Sequence, residues 1–117
     1  MYVTYTGGCH CGKIAFTVEG ELESLMECNC SICVKRGYLL WFVPRQQLIL
    51  STPESNLATY TFHTGVIKHH FCTTCGCGPF GEGTDKNKGD IAAVNVRCLD
   101  NFDISKFKIN PFDGKSL

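Results

Sequence analysis

The sequence has no net charge, no long apolar run and no block of like charges, and each absence excludes a class of protein. Its 117 residues carry 11 Lys and Arg against 11 Asp and Glu. Because the basic residues are scattered, an extended phosphate-binding surface is not expected. No apolar run approaches the ~20 residues that span a bilayer, and the first residues lack the basic and apolar segments of an export signal. We therefore expect a cytoplasmic protein that binds neither nucleic acid nor membrane.

Sustained helical periodicity is also absent. Short apolar or alternating runs predict strands at residues 2–6, 14–18, 38–43, 48–50, 57–62, 66–71 and 91–96. The fifth and sixth runs form a predicted hairpin joined through residues 63–65, which sends Tyr60, Phe62 and Phe71 into the core. The polar stretch 81–89 is predicted to be a loop, the run 91–96 to be a central and final strand, and only residues 31–37 and 101–107 to form helical turns. The fold class expected is mainly β, built from small, short antiparallel sheets.

The chain length favours a single domain that needs reinforcement. With 44% hydrophobic residues, residues 1–117 are predicted to form one domain, although a core of this size buries only about 65% of the unfolded surface. Nine cysteines supply the reinforcement. Their odd number and the missing export signal argue against a secreted disulfide framework. Metal binding is therefore the preferred explanation.

Eight of the cysteines lie in three short motifs, and two of these motifs predict a structural zinc site. Cys9 and Cys11 flank one histidine, and Cys72 and Cys75 form a C-x-x-C motif. Glycines near both pairs allow the tight turns that direct two sulfurs at one tetrahedral ion. The four thiolates together predict a closed zinc site that joins the first strand region to the middle of the chain.

The remaining motif offers three thiolates, Cys28, Cys30 and Cys33. Structural zinc sites are usually filled by four protein ligands, whereas catalytic sites keep one position open for water or substrate. The motif therefore predicts a catalytic zinc, the second ion of the chain. The alternative is a second structural site completed by Cys77, Cys98 or a histidine.

Basic residues follow this third motif directly. A helix that starts at the motif, capped by Ser31, would favour thiolate over thiol. Lys35 and Arg36 then either meet an anionic substrate or form an ordinary solvated turn. Cys77 and Cys98 are expected to bind no metal, and the four histidines are expected to be structural, with His63 in a turn and His69 and His70 on opposite faces of one strand.

The order of the motifs resembles a known family. The segments GGCHCG, CNCSIC and FCTTCG, followed by VNVRCLD near the end of the chain, are similar to those of the glutathione-dependent formaldehyde-activating enzyme family. The resemblance implies a β-tent fold like that of R-type methionine sulfoxide reductases, with a structural zinc and a catalytic zinc. It places Cys9, Cys11, Cys72 and Cys75 on the structural positions and Cys28, Cys30 and Cys33 on the catalytic ones.

The resemblance also implies the activity. Family members are carbon–sulfur lyases, named for the joining of glutathione and formaldehyde into S-(hydroxymethyl)glutathione, so the expected partners are a small-molecule thiol and an aldehyde. Two other functions remain open at this point. One is a zinc-stabilised binding or scaffold module without catalysis, and the other is a thiol redox protein that cycles a disulfide between Cys28 and Cys33.

Overall fold

The computed structural model describes residues 2–62 and 67–116, and most of their regular structure is β-strand. The strands are β1 (Val3–Gly8), β2 (Ala15–Gly20), β3 (Ser24–Cys28), β4 (Leu40–Pro44), β5 (Leu48–Leu50), β6 (Leu57–Tyr60), β7 (Lys68–Cys72), β8 (Phe80–Asp85), β9 (Gly89–Asn95) and β10 (Lys108–Phe112). One α-helix, α1, covers Ser31–Arg36, and short 3₁₀ helices lie at Arg45–Gln47, Glu54–Asn56, Val96–Cys98, Ile104–Lys106 and Gly114–Ser116. The prediction of a mainly β fold is confirmed.

The strands form two sheets. One has the order β1-β2-β5 and is antiparallel throughout. The other has the order β10-β3-β4-β9-β8-β7-β6, and its strand pairs are antiparallel except that β10 runs parallel to β3. The larger sheet is therefore mixed and wider than the small antiparallel sheets that the sequence predicts, while β9 does lie at its centre.

The larger sheet has two different faces because successive side chains of a strand point in opposite directions. One face packs against the small sheet and forms the main core. Its principal members are Phe16, Val18, Leu25, Trp41, Val43, Leu48, Phe80, Ala92 and Val94. The opposite face carries a second apolar cluster that includes Met26, Cys28 and Leu40, together with α1.

Three strand predictions need correction. β3 and β10 were not predicted, and the predicted final strand, now β9, is followed by β10. Residues 81–89 are not a loop, because Phe80–Asp85 and Gly89–Asn95 pair as a hairpin with only residues 86–88 in its turn. The charge of Glu82 is accommodated in this strand because Glu82 is ion-paired with Arg45 and His70. Gly81 allows β8 to lie close to β7, since a Cβ atom there would be only 3.1 Å from the Lys68 carbonyl oxygen.

The predicted hairpin is present as β6 and β7, which pair antiparallel from Leu57 with Cys72 to Tyr60 with His69. Its predicted connection through residues 63–65, and Val66, lie outside the described residues. Tyr60 does not enter the core, because β6 is an edge strand and this side chain is 48% exposed. Within residues 2–62 and 67–116, no helix has the length and apolar character needed to cross a membrane.

Candidate metal centres and active site

The structure brings Cys9, Cys11, Cys72 and Cys75 into one group, here called the four-cysteine cluster, with all sulfurs within 4.8 Å of one another. Two similar turns build it, one after β1 and one after β7. Each turn ends in a glycine with positive φ, +88° at Gly12 and +82° at Gly76, a conformation that a side chain would strain. Lys13 Nζ donates to Thr74 Oγ1 at 2.9 Å and ties the two turns together.

The sulfur positions suit a tetrahedral ion. A zinc with four Zn–S bonds of about 2.3 Å places its sulfurs about 3.8 Å apart. The Cys9 and Cys11 sulfurs are 3.7 Å apart, and those of Cys11 and Cys72 are 3.5 Å apart. Backbone N–H groups also face the sulfurs, with Ile14 N donating to Cys9 at 3.3 Å and Thr74 N donating to Cys72 at 3.4 Å. The four-cysteine cluster therefore fits a zinc ion held entirely by protein ligands.

The thiols of this cluster titrate unequally. Backbone N–H groups of Cys77 and Cys11 lower the pKa of Cys75 to about 5. The pKa of Cys11 rises to about 11, because desolvation and the neighbouring thiols of Cys72, Cys9 and Cys75 outweigh the N–H of Lys13. Four crowded sulfurs cannot all carry charge without a cation among them, so metal binding would release protons from this cluster.

Cys28, Cys30 and Cys33 form a second group with sulfurs within 4.8 Å, here called the three-cysteine cluster. Cys28 ends β3, and the next residues turn directly into α1. Cys30, and not Ser31 as predicted, is the N-cap residue of α1, and it makes no side-chain capping hydrogen bond. Ser31 is already the first helical residue, and in the turn before it Cys30 N donates to Cys28 Sγ at 3.5 Å.

The three sulfurs lie in a mostly buried setting. Cys28 and Cys33 are only 7% and 5% exposed, and desolvation raises the pKa of both thiols. The pKa of Cys30 is lowered, since interactions with the Cys33 side chain and with the amides at the start of α1 outweigh desolvation. The backbone of Gly114 lies against Cys28 Sγ, where any side chain would collide with the sulfur. Three sulfurs in one compact group can hold a metal ion and leave one coordination position for another ligand.

The three-cysteine cluster lies on the wall of a cavity of about 530 Å³. Its lining residues are Glu27, Cys28, Asn29, Cys33, Val34, Gly37, Tyr38, Pro111, Phe112 and Asp113. The four-cysteine cluster contributes none of them. The volume is in the range of small-molecule sites, so a thiol or another small ligand has room beside the sulfurs.

The sequence did not predict that Pro111, Phe112 and Asp113 form part of the cavity wall. β10 places Phe112 beside Cys28, Asn29 N donates to the Phe112 carbonyl at 3.1 Å, and Asn29 Nδ2 donates to Asp113 Oδ1 at 2.9 Å. The sequence pattern that could have predicted strand β10 is weak. Pro111 argues against a central strand but is allowed on an edge, and β10 is the outermost strand of its sheet.

The remaining cysteines and the described histidines lie outside both clusters. Among the described residues, no other cysteine and no histidine joins the three-cysteine cluster, while His63 lies outside those residues. Cys98 is held against Gly78 O and Asn95 Nδ2, and burial raises its pKa to about 12. His70 is bound to Thr59 and Glu82, and His69 stacks on Phe62 at 5.5 Å.

The comparisons with known proteins show the family and the fold. Residues 4–112 match the family described as glutathione-dependent formaldehyde-activating enzyme. The chain belongs to this family. A crystal structure of a Rhodobacter sphaeroides protein from a structural genomics programme is similar, with 27% identity, a TM-score of 0.76, and coverage of 90% of this chain and 99% of that one. Membership supports a glutathione- and formaldehyde-related function at the level of the family, and both cysteine clusters are compatible with zinc.

Proposed function

We propose that residues 1–117 form one zinc-dependent domain that acts as a carbon–sulfur lyase or synthase on thiol–aldehyde adducts such as S-(hydroxymethyl)glutathione. Cys9, Cys11, Cys72 and Cys75 would hold a structural zinc. Cys28, Cys30 and Cys33 would hold a catalytic zinc. Glutathione and formaldehyde come from the family match, and the assignment of roles to the two clusters is our inference from their surroundings.

One observation carries the proposal. The complete set of four sulfurs lines none of the cavity, whereas the incomplete set of three opens onto it through Cys28 and Cys33. A metal with three protein ligands and an adjacent cavity has the arrangement of a catalytic zinc site. A purely structural second zinc would need a fourth protein ligand, and the described residues offer none within reach.

The chemistry is an addition in which a sulfur–carbon bond forms as the carbon–oxygen π bond of the aldehyde opens. The thiol loses its proton, and the alkoxide oxygen of the product gains one, so no oxidant or reductant is needed. When bound, zinc would supply a Lewis acid that lowers the pKa of a coordinated thiol. The protein residues hold the reactants in place, since Tyr38 and Phe112 form apolar walls of the cavity and limit the movement of a thiol beside the cysteines.

The proposal is tested by the visible spectrum of the cobalt-substituted protein during titration with glutathione. We expect two cobalt ions per chain and a spectral change in one of them, because only the three-cysteine cluster can accept a further sulfur. The same protein should accelerate the joining of glutathione and formaldehyde. Two ions with an unchanged spectrum would argue against glutathione, and a single ion would favour a zinc-stabilised binding module.

A matched pair of variants assigns the activity to the cluster. Cys30→Ser should remove the glutathione-dependent spectral change and lower the catalysed rate by about 100-fold or more, since it removes a ligand of the reacting site. Cys98→Ala, which changes a cysteine outside both clusters, should keep both properties. A Cys30→Ser protein that folds, retains one metal and reacts at the wild-type rate would overturn the proposed role.

A further inference from the structure

The charged residues around the three-cysteine cluster are unevenly distributed. The cavity beside Cys28 and Cys33 is lined by two carboxylates, Glu27 and Asp113, and among its described lining residues there is no lysine or arginine. Asp113 is held in place by Asn29 and Ser116, and these bonds lower the pKa of its carboxyl group. A substrate carboxylate would therefore be repelled along the cavity and needs a cationic partner elsewhere.

Such a partner contacts Tyr38, a residue of the cavity wall. Arg36, the last residue of α1, donates from Nη1 to the Tyr38 hydroxyl at 2.8 Å. Its guanidinium carbon lies 6.0 Å from the ring centroid of Tyr38, 6.0 Å from that of Tyr60 and 5.5 Å from that of Phe71. These contacts hold the guanidinium in one place, which lowers the entropy lost when it binds a ligand.

Arg36 also has unused binding capacity. Arg45 is paired with Glu82, whereas no carboxylate pairs with Arg36 within residues 2–62 and 67–116. A guanidinium offers five N–H donors in a planar fork that matches a carboxylate. Because the side chain is exposed, the donors that Tyr38 does not use can be reached from solvent.

The same arginine is tied structurally to the reacting cluster. It follows Cys33 by three residues on α1, so the two side chains are neighbours on that helix. Tyr38 lines the cavity with Cys28 and Cys33 and binds Arg36 through its hydroxyl group. Tyr38 thus connects the wall of the cavity to the guanidinium of Arg36.

We propose that Arg36 is the specificity-determining residue of the thiol site, which binds a carboxylate of a peptidyl thiol while the thiol group lies beside Cys28 and Cys33. The inference rests on the proposed function and adds to it the residue that selects thiols with a carboxylate over thiols without one. Among the described residues, Lys35, the neighbouring basic residue, has no comparable contacts with aromatic rings or with Tyr38, and it plays no part in this recognition.

Binding of S-methylglutathione tests the carboxylate contact separately from the chemistry, since its blocked sulfur cannot react with an aldehyde. Calorimetry on the zinc-loaded protein should show that Arg36→Met weakens binding about tenfold, the loss expected for one charge-assisted pair. Arg36→Lys should recover part of the affinity, and Lys35→Met should bind like wild type. The diethyl ester of the same ligand should bind weakly and equally to the wild type and Arg36→Met.

The catalysed reaction supplies the second measurement. For glutathione, Arg36→Met should raise KM about tenfold with little change in kcat, and for glutathione diethyl ester both constants should stay at their wild-type values. An equal loss for acid and ester, or no loss for either, would overturn the role of Arg36 while leaving the lyase proposal intact. If the wild type neither binds nor converts either thiol, the proposed function fails and the inference fails with it.

Discussion

The two cysteine clusters differ in how the chain assembles them. Cys11 and Cys72, whose sulfurs are 3.5 Å apart, are separated by 61 positions in the sequence. The three-cysteine cluster lies entirely within residues 28–33, at one junction between β3 and α1. The first cluster joins distant segments, whereas the second draws its ligands from one short segment beside a cavity.

This difference predicts different energetic roles. Closing a long loop removes more conformational entropy from the unfolded chain than closing a short one, and a structural zinc site of four ligands supplies free energy of folding directly. Cys28, Cys30 and Cys33 are already close together at the junction of β3 and α1, so a metal bound there would close only a short loop. We infer that metal in the four-cysteine cluster chiefly maintains the fold and that metal in the three-cysteine cluster chiefly serves the reaction.

The largest expected effect separates these roles by a matched pair of substitutions. Cys72→Ser should abolish metal binding at the four-cysteine cluster and reduce the free energy of unfolding by about 3 kcal/mol or more, since Cys72 is fully buried at the junction of two segments. Cys30→Ser should cost about 1 kcal/mol and leave one metal per chain. Urea unfolding and metal content per chain measure both. Equal destabilisation by the two changes would contradict the division of roles.

The membership of both clusters was predictable because metal ligation leaves a local trace in the sequence. C-x-C and C-x-x-C motifs predict short turns, and the structure does group the sulfurs as the spacing indicated. Residue spacing also favoured Cys75 over Cys77, and only Cys75 joins the cluster. Whether metal fills both groups and which of them reacts are still predictions.

The cavity was not predictable, because its walls depend on pairing between distant segments. β10 pairs with β3 in parallel across more than eighty residues of sequence, and the segment that forms it contains Pro111 and few apolar residues. The β8–β9 hairpin was not predicted for a different reason. Its inward-facing polar residue, Glu82, is stabilised by Arg45 and His70, and a hydrophobic pattern cannot show such a partner.

The next expected effect concerns the ion-paired network of Glu82, Arg45 and His70, whose members belong to neither cysteine cluster. Hydrogen bonds from His70 and Arg45 lower the pKa of Glu82 below its ordinary value of 4.5 despite desolvation. A carboxylate whose pKa is lowered by folding stabilises the protein at pH values above its ordinary pKa. This stabilisation is lost as the pH falls through the pKa of the folded state. Glu82→Gln should therefore cost about 1–2 kcal/mol at pH 7 and progressively less below pH of about 4.

Urea unfolding of wild type and Glu82→Gln at several pH values tests this expectation. The difference between the two proteins is the relevant quantity, because acid also protonates the metal-binding thiols of both. Glu19→Gln is a suitable control, since Glu19 is exposed and its carboxylate forms no hydrogen bond or ion pair within residues 2–62 and 67–116. A difference between wild type and Glu82→Gln that stays constant as the pH falls would show that the charge of Glu82 contributes no stability.

The smallest expected effect tests whether the three-cysteine cluster is open. Cys98 lies outside both clusters, its sulfur contacts Gly78 O and Asn95 Nδ2, and burial raises its pKa to about 12. A thiol that stays protonated at neutral pH behaves as a small apolar side chain. Cys98→Ala should thus retain two metals per chain and lose under about 1 kcal/mol of stability. Loss of one metal in Cys98→Ala would make Cys98 a metal ligand and would contradict either the closed four-cysteine site or the open three-cysteine site.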